Sequence, residues 1–434
     1  MSVHLERNSS ACYRILVFGR DWDAMLNSEF ARSSAGVAHR LNSASQPTTT
    51  WCSDPGSEMA KIIFLVAHPV EDASRRYRVQ QFIPLLEQAG HECTVSEFST
   101  PQLFRALHSR GQFTTKVLHT VYCSARRLVR LADLSEFDLI IIHREVFPFL
   151  TPMLEKWVLK RHPNVMFSLD DATYAAHPDT AQMRHPLLYR FKYGRDLSEI
   201  MRQSAHVIVG NSTLANYAKE FSREVSVFPT VVDCEKYTYK PVATPSAQAL
   251  TIGWMGSNST AAYLSEIVTP LKQLAKNYPR KVQFRFLGCK ELNPDLPRAS
   301  VSSFRLETEL DDLRSLDIGL MPMPDTAWTR GKCAFKAIQY MAMGIPTVAS
   351  PVGSTLDLIQ HNSNGLLAQS ERDWYDALEL LVTDYAARQR LSTRGRETIL
   401  KSYSLQVWAP RLISLIDQLT ASCPREVSLS AAIG

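Results

Sequence analysis

The 434-residue sequence contains no run of about 18 apolar residues, which leaves it without a spanning-helix candidate. Its eight cysteines form no CxxC pair, and no Cys/His cluster has zinc-finger spacing. Scattered single cysteines suit a reducing compartment and buried packing roles. There is no GxGxxG, which disfavours a nicotinamide dehydrogenase, and no GxSxG nucleophile elbow. Neither sign of charge dominates: a net charge of +5 falls short of the strongly basic stripe expected of a nucleic-acid binder. The opening residues, MSVHLERNSSACYRILVFGR, lack a signal-peptide h-region followed by a cleavage site, so a soluble, cytoplasmic protein is expected.

What the chain does have is alternation. Residues 35–58 are rich in Ser, Thr, Pro and Gly without a sustained period, so residues 1–58 read as a disordered extension, an over-long translation start being one origin. From Met59 onward, short apolar runs at 61–67, 91–98, 137–143, 164–170 and 205–211 alternate with helical patterns. After a linker at 238–249 the pattern restarts with runs at 250–256, 282–288, 317–322 and 347–350. Nearly all-apolar strands interleaved with helices mean parallel sheets covered on both faces. The expected organisation is α/β: two Rossmann-like parallel-sheet domains, 59–240 and 245–405, facing each other across a cleft. A final helix and a loose tail fill 406–434. Ligands of such sheets bind at the carboxyl ends of the strands.

The most informative stretch is WTRGKCAFKAIQYMAMGIPTVASPVG, residues 328–353. The pattern predicts a helix from Gly331 to Gly344 with Lys332, Lys336 and Gln339 along one face at i, i+4 and i+7. Cations at a helix start oppose the helix dipole. Arg330, Lys332 and Lys336 with free helix N–H groups therefore point to an anion, a diphosphate in particular, with a ribose beside the amide of Gln339.

This stretch resembles the donor-binding segment of family 4 GT-B glycosyltransferases. ASRRYRVQQFIPLLEQAGHE, HVIVGNSTLANYAKEFSREVSVFPTVVD and IGWMGSNSTAAYL agree in the right order, so the resemblance spans roughly residues 60–410. It implies a GT-B architecture with a nucleotide-sugar donor held mainly by the C-terminal domain. It also implies a retaining transfer whose leaving phosphate helps to deprotonate the acceptor, without metal or other cofactor. The one Asp-x-Asp, Asp21-Trp22-Asp23, falls in the extension and is read as chance.

Three departures from the family stand out. Its two glutamates eight positions apart fall at Gly331 and Gln339. The cations usual after the first C-terminal-domain strand are replaced by Gly256, Ser257, Asn258 and Ser259, whose hydroxyl, amide and N–H groups are expected to cradle the donor with Gly331 and Gln339. In place of the usual N-terminal-domain histidine there are Asp170 and Asp171 at one strand end and His143, Arg144 and Glu145 one strand earlier. Arg330, Lys332, Lys336 and Asp170 are expected to be catalytic. Arg75, Arg76, Arg78, His143, Arg144 and Glu145 are expected on the acceptor side. Asp170 and Asp171, if both on a strand, would point to opposite faces. The plainer readings are a helix N-cap for Asp170 and a satisfied buried histidine for His143.

Residues 101–135 carry six Arg or Lys against one acid, Asp133. Leu118, Val121, Tyr122, Ala125 and Val129 make an apolar stripe opposite Lys116, Cys123, Arg127 and Arg130. Such a helix either rests on anionic lipid, at the inner face of the membrane, or packs on its own sheet. The expected activity is sugar transfer from a nucleoside-diphosphate sugar to a glycan or lipid-linked acceptor, with no nucleic-acid partner. Two alternatives compete with it. One is a catalytically weakened GT-B nucleotide- or sugar-binding protein, suggested by the absent glutamates; the other is a GT-B sugar-nucleotide epimerase.

Overall fold

The computed structural model describes residues 59–107, 111, 113–148, 152–175, 196–244, 249–289 and 296–422. The extension, with Asp21 and Asp23, lies outside them. The first half holds six strands: β1 (Lys61–Val66), β2 (Glu92–Glu97), β3 (Leu139–His143), β4 (Val165–Leu169), β5 (His206–Val209) and β6 (Val225–Val227). The second holds β7 (Leu250–Met255), β8 (Val282–Leu287), β9 (Ala299–Ser302), β10 (Ile318–Met321), β11 (Thr347–Ala349) and β12 (Leu366–Leu367). Their orders are β2-β1-β3-β4-β5-β6 and β12-β11-β10-β7-β8-β9. Every described pairing is parallel. Both sheets are doubly wound, and strand order reverses at β1/β3 and at β7/β10, where such sheets open a crevice.

All nine apolar runs form strands. Three further strands, β6, β9 and β12, sit at sheet edges. Central strands are buried on both faces and so read as apolar runs; β9 is exposed along its whole length and leaves no such mark.

Each sheet is covered by helices on both faces, and this makes four principal hydrophobic clusters. The last helix, Leu405–Ala421, returns to the first half. Its Leu405, Ala409, Leu412 and Ile416 pack with Ile62 and Phe64 of β1. Val232 pairs with Ser404, and Asn164 Nδ2 donates to Leu419 O at 3.0 Å. The C-terminal segment therefore straps the two sheets together before the described residues end.

Candidate active site

The basic stretch is less regular than its spacing predicts. One short helix, Ala327–Arg330, is capped by the Thr326 side chain; a second, Phe335–Ala342, begins five residues later. Between them Gly331–Ala334 is a loop, and Ala334 has a left-handed φ of 50°. The expected continuous helix from Gly331 does not form because first-half groups and the 354 turn take over the loop's backbone. Asn211 Nδ2 donates to Arg330 O (3.3 Å) and Lys332 O (3.2 Å). Ser354 Oγ donates to Lys332 O at 2.6 Å, and Cys333 Sγ to Asp170 O at 2.9 Å. Gly331 is required by contact: a Cβ there would lie 2.5 Å from Ala172 Cβ and 2.9 Å from Ala172 N. A glutamate at 331 has no room in this arrangement.

The three cations go separate ways. Arg330 turns to solvent and pairs with Asp325 (Nε–Oδ1 2.6 Å, Nη2–Oδ2 3.0 Å), so it is not brought to the cleft. Lys332 Nζ lies 3.6 Å from Asp171 Oδ1 and 5.2 Å from the Trp328 ring centroid. Lys336 Nζ sits 5.5 Å from the Trp254 ring centroid. Gly256 makes the space for it, since a Cβ there would meet Lys336 Cε at 2.6 Å. Burial pushes the Lys336 ammonium down to about 8, and neighbouring Lys332 adds to the effect. Ser257 is exposed beside Gly256, and Asn258–Ala261 forms a short helix.

Gln339 is not in the cleft. With the helix starting at Phe335, this residue falls on a buried face, where Nε2 donates to Tyr237 Oη (2.7 Å) and Glu309 Oε1 (2.9 Å). Glu309 also accepts from Tyr77 Oη at 3.1 Å and from Arg76 Nη2 at 3.4 Å. The Tyr77 ring packs 4.3 Å from that of Phe335. Arg76 and Tyr77 thus tie the first half to the second. Arg75 is buried against Glu97 and Gln80, and Arg78 is buried with its guanidinium on Phe228 O. Neither reaches the cleft, because each guanidinium is taken by acceptors of the first half. Glu145 is half-buried and lies outside the cleft lining.

Asp170 anchors the opposite wall. It is no helix cap: it follows β4, where Arg144 binds it through Nε and Nη2. Arg144 Nη2 also reaches Asp171 Oδ2 at 2.7 Å. The two aspartates face one guanidinium rather than opposite sides, because the strand ends at Leu169. Burial pushes the Asp170 carboxyl up, but Arg144 outweighs it and holds the group well below the usual carboxylate range. Ser74 Oγ donates to Asp170 and lies 2.8 Å from His143 Nε2. With its proton given to Asp170, Ser74 Oγ accepts from Nε2–H, and His143 Nδ1 then accepts from Ser168 Oγ at 3.1 Å. Burial pushes His143 down to about 4, so it stays neutral. This line of hydrogen bonds orients Asp170 and offers no free nucleophile.

Lys332, Lys336, Asp170, Asp171, Arg144 and Trp254 line a cleft of about 170 Å³ between the halves. A larger cavity of about 420 Å³ lies behind Cys333 and Ala334, but the ionic groups of the site line the smaller one. Among the described residues no cluster of His, Cys, Asp or Glu could hold a metal ion. Sequence reasoning missed Ser74, Tyr77, Trp254 and Glu309 as site components. Trp254 read as strand core, and only the glycine two residues on hinted at an approach to it.

Two doubly wound sheets facing across a strand-end cleft define the GT-B class of glycosyltransferase folds. Residues 248–384 match the family model described as Glycosyl transferases group 1. Sucrose-phosphate synthase from Thermosynechococcus elongatus is similar in structure at 16% identity, covering 84% of this chain and 100% of that one with a TM-score of 0.61. A glycosyltransferase from Rickettsia africae ESF-5 is similar at 11% identity, with coverage of 83% and 98% and a TM-score of 0.58. HepE from Anabaena, in complex with UDP and glucose, is similar at 13% identity, with coverage of 82% and 99% and a TM-score of 0.56. At such identities the likeness is one of fold. No curated protein sequence matches the chain.

Proposed function

We propose that the chain is a retaining glycosyltransferase that moves a sugar from a nucleoside-diphosphate sugar to a glycan or lipid-linked acceptor. The family match and the fold support glycosyl transfer. The observation that carries the donor class is Lys332 and Lys336 at the start of helix Phe335–Ala342, opposite Asp170 and Arg144 across one cleft. Departure of a nucleoside diphosphate builds negative charge on its phosphate. Two ammonium groups and the first-turn N–H groups of that helix oppose this charge, and they are already in place before reaction. Asp170 stays ionised and faces the sugar as positive charge develops on it. The leaving phosphate takes the proton of the acceptor hydroxyl, so neither a protein base nor a metal is required.

The cleft is smaller than the ~300–1,000 Å³ of ordinary ligand pockets. Donor entry therefore requires the halves to part, breaking the Arg76–Glu309 and Tyr77–Glu309 contacts. The reaction is placed in the cytoplasm, at the inner face of a membrane for a lipid-linked acceptor. A second reading, a nucleotide-binding protein with weakened catalysis, is favoured by Gly331 and Gln339. The first has no side chain, and the second is locked on Glu309.

A thermal-shift screen against UDP, GDP, ADP, CMP and TDP tests the site, since a ligand of the native state raises its melting point. One diphosphate is expected to give a rise that Lys336→Met removes, and the matching sugar donor should then be hydrolysed or transferred. A shift without turnover favours the second reading. No shift with any nucleotide sinks the anion site.

A further inference from the structure

The cavity of about 420 Å³ behind Cys333 and Ala334 has the size of an ordinary ligand pocket, which the cleft does not. Three parts of the chain wall it. The first half gives Val227 and Pro229, the second gives Ile338 and Leu358, and the C-terminal strap gives Tyr403 and Trp408. Lys401 and Arg411 of the strap also line it. Both are exposed, and neither has a carboxylate partner among the described residues. Arg411 lies over the Trp408 ring, 4.5 Å from its centroid, a contact that leaves the charge in place. The one acid in the lining, Asp357, already accepts from Ser212 Oγ at 2.9 Å. The Tyr403 hydroxyl bonds to no described residue. The groups left open are therefore all donors, an ammonium, a guanidinium and a phenol, and they stand beside an apolar wall.

We propose that this cavity binds a phosphate monoester of an apolar alcohol, and that its occupant opposes nucleotide binding in the cleft. Two cations and a hydroxyl suit a dianion better than a carboxylate, and a guanidinium grips phosphate through two N–H groups. The apolar walls take the alcohol part; the hydroxyls of a sugar phosphate would find no partners on Val227, Pro229, Ile338 or Leu358. The link to the cleft is direct. Cys333 and Ala334 line both spaces, so one stretch of loop separates them. Asn211 and Ser354, also in the lining, are the side chains that hold Lys332 O. An occupant also bridges both halves and the strap, and so binds best while they stay together. Donor entry requires the halves to part. The two ligands therefore weaken each other by the same factor. That antagonism rests on the transferase reading of the cleft; the binding itself does not.

The test is calorimetric titration of the full chain with 2-naphthyl phosphate, 2-naphthol and inorganic phosphate. The ester is expected to bind about tenfold or more tighter than either fragment, because only it uses both the cations and the walls. Lys401→Met with Arg411→Gln should weaken the ester about tenfold or more at an unchanged melting point, both positions being exposed. Lys336→Met, which empties the cleft of its buried cation, should leave the ester bound. Geranyl phosphate in place of the naphthyl ester then tells a chain-like body from a ring by which binds tighter. No binding of either ester overturns the proposal, as does binding that survives the double variant or is lost in Lys336→Met. Equal binding of inorganic phosphate or of naphthol also overturns it. Saturating ester should weaken the nucleotide found in the screen about fivefold or more; unchanged nucleotide affinity overturns the antagonism. Failure of the nucleotide screen itself would not touch the ester titration, so the two readings fail separately.

Discussion

Two basic stretches look alike in the sequence and behave differently in the fold. Arg75, Arg76 and Arg78 open the first helical segment of one sheet; Arg330, Lys332 and Lys336 surround a helix start in the other. In the first stretch every guanidinium is consumed by protein acceptors: Glu97 and Gln80, Glu309, and Phe228 O. In the second, Lys332 shares one aspartate with Arg144, and Lys336 rests on an indole without a carboxylate partner among its described ion pairs. A cation near a strand end becomes a binding group when the protein leaves it short of acceptors. A planar guanidinium with five donors is easily absorbed into a framework; a compact ammonium at a cleft wall is less so.

The largest effect should come from breaking the absorbed class. Arg78→Met removes a buried guanidinium and orphans Phe228 O, at a cost of about 3 kcal/mol. Urea unfolding should show the midpoint falling, while the fraction still folded keeps its nucleotide affinity within about threefold, a bound well below one charged hydrogen bond. A large loss of affinity at unchanged stability would put Arg78 with the open cations instead.

The opposite pattern is expected of Lys336→Met, which keeps the stem over Trp254 and deletes the charge. Affinity for the diphosphate found in the screen should drop about ten- to a hundredfold, the worth of one charge-assisted hydrogen bond. The unfolding midpoint should stay or rise, because a desolvated ammonium has gone. Lys332→Met should lose somewhat less, Asp171 being already paired with it. Isothermal titration beside urea unfolding reads both quantities, and a destabilised Lys336→Met with intact affinity would dissolve the distinction.

The distinction also has a pH signature of intermediate size. Lys336 has its ammonium lowered from 10.5 to about 8, so it loses its proton as pH rises through that value. An anionic ligand needs the protonated form. Affinity should therefore be full below about 8 and fall above it, by at most about tenfold per unit. Ligand-free stability should move the other way: between about 8 and 10.5 the unfolded chain binds more protons at this residue, so stability rises with pH there. Lys336→Met should flatten both slopes, and a wild-type profile that is already flat would deny Lys336 its cleft environment.

The central strands and their division between two parallel sheets were legible in the sequence, because doubly covered strands must be apolar. The site was legible in its charges: Lys332 and Lys336 in the stretch the sequence marked, and Asp170 and Arg144 at the strand ends opposite. What failed depended on partners distant in the chain. Gln339 went to Glu309 on another helix, and the predicted helix start at Gly331 gave way to Asn211 and Ala172 from the other half. No local pattern encodes such contacts. Helix Phe113–Ala132 has the amphipathic period expected, but the strand-end carbonyls that bind its Arg127 and set its facing are invisible until β1 and β2 are paired.

Arg330 gives the smallest expected effect and the finest test of the comparison. By sequence it belongs with Lys332 and Lys336, two residues from one and six from the other. In the fold it is spent on Asp325 at the surface, so by the acceptor rule it should behave as an absorbed cation that happens to be exposed. Exposed ion pairs of this kind contribute little. Arg330→Gln should leave the unfolding midpoint unresolved from wild type and change nucleotide affinity by less than about twofold, through long-range charge alone and only at low salt. A tenfold loss would mean that Arg330 swings from Asp325 into the cleft when the donor binds. Repeating the titration with Asp325→Asn would then decide the matter: freeing Arg330 from its partner should tighten nucleotide binding if the swing occurs and leave it unchanged if it does not.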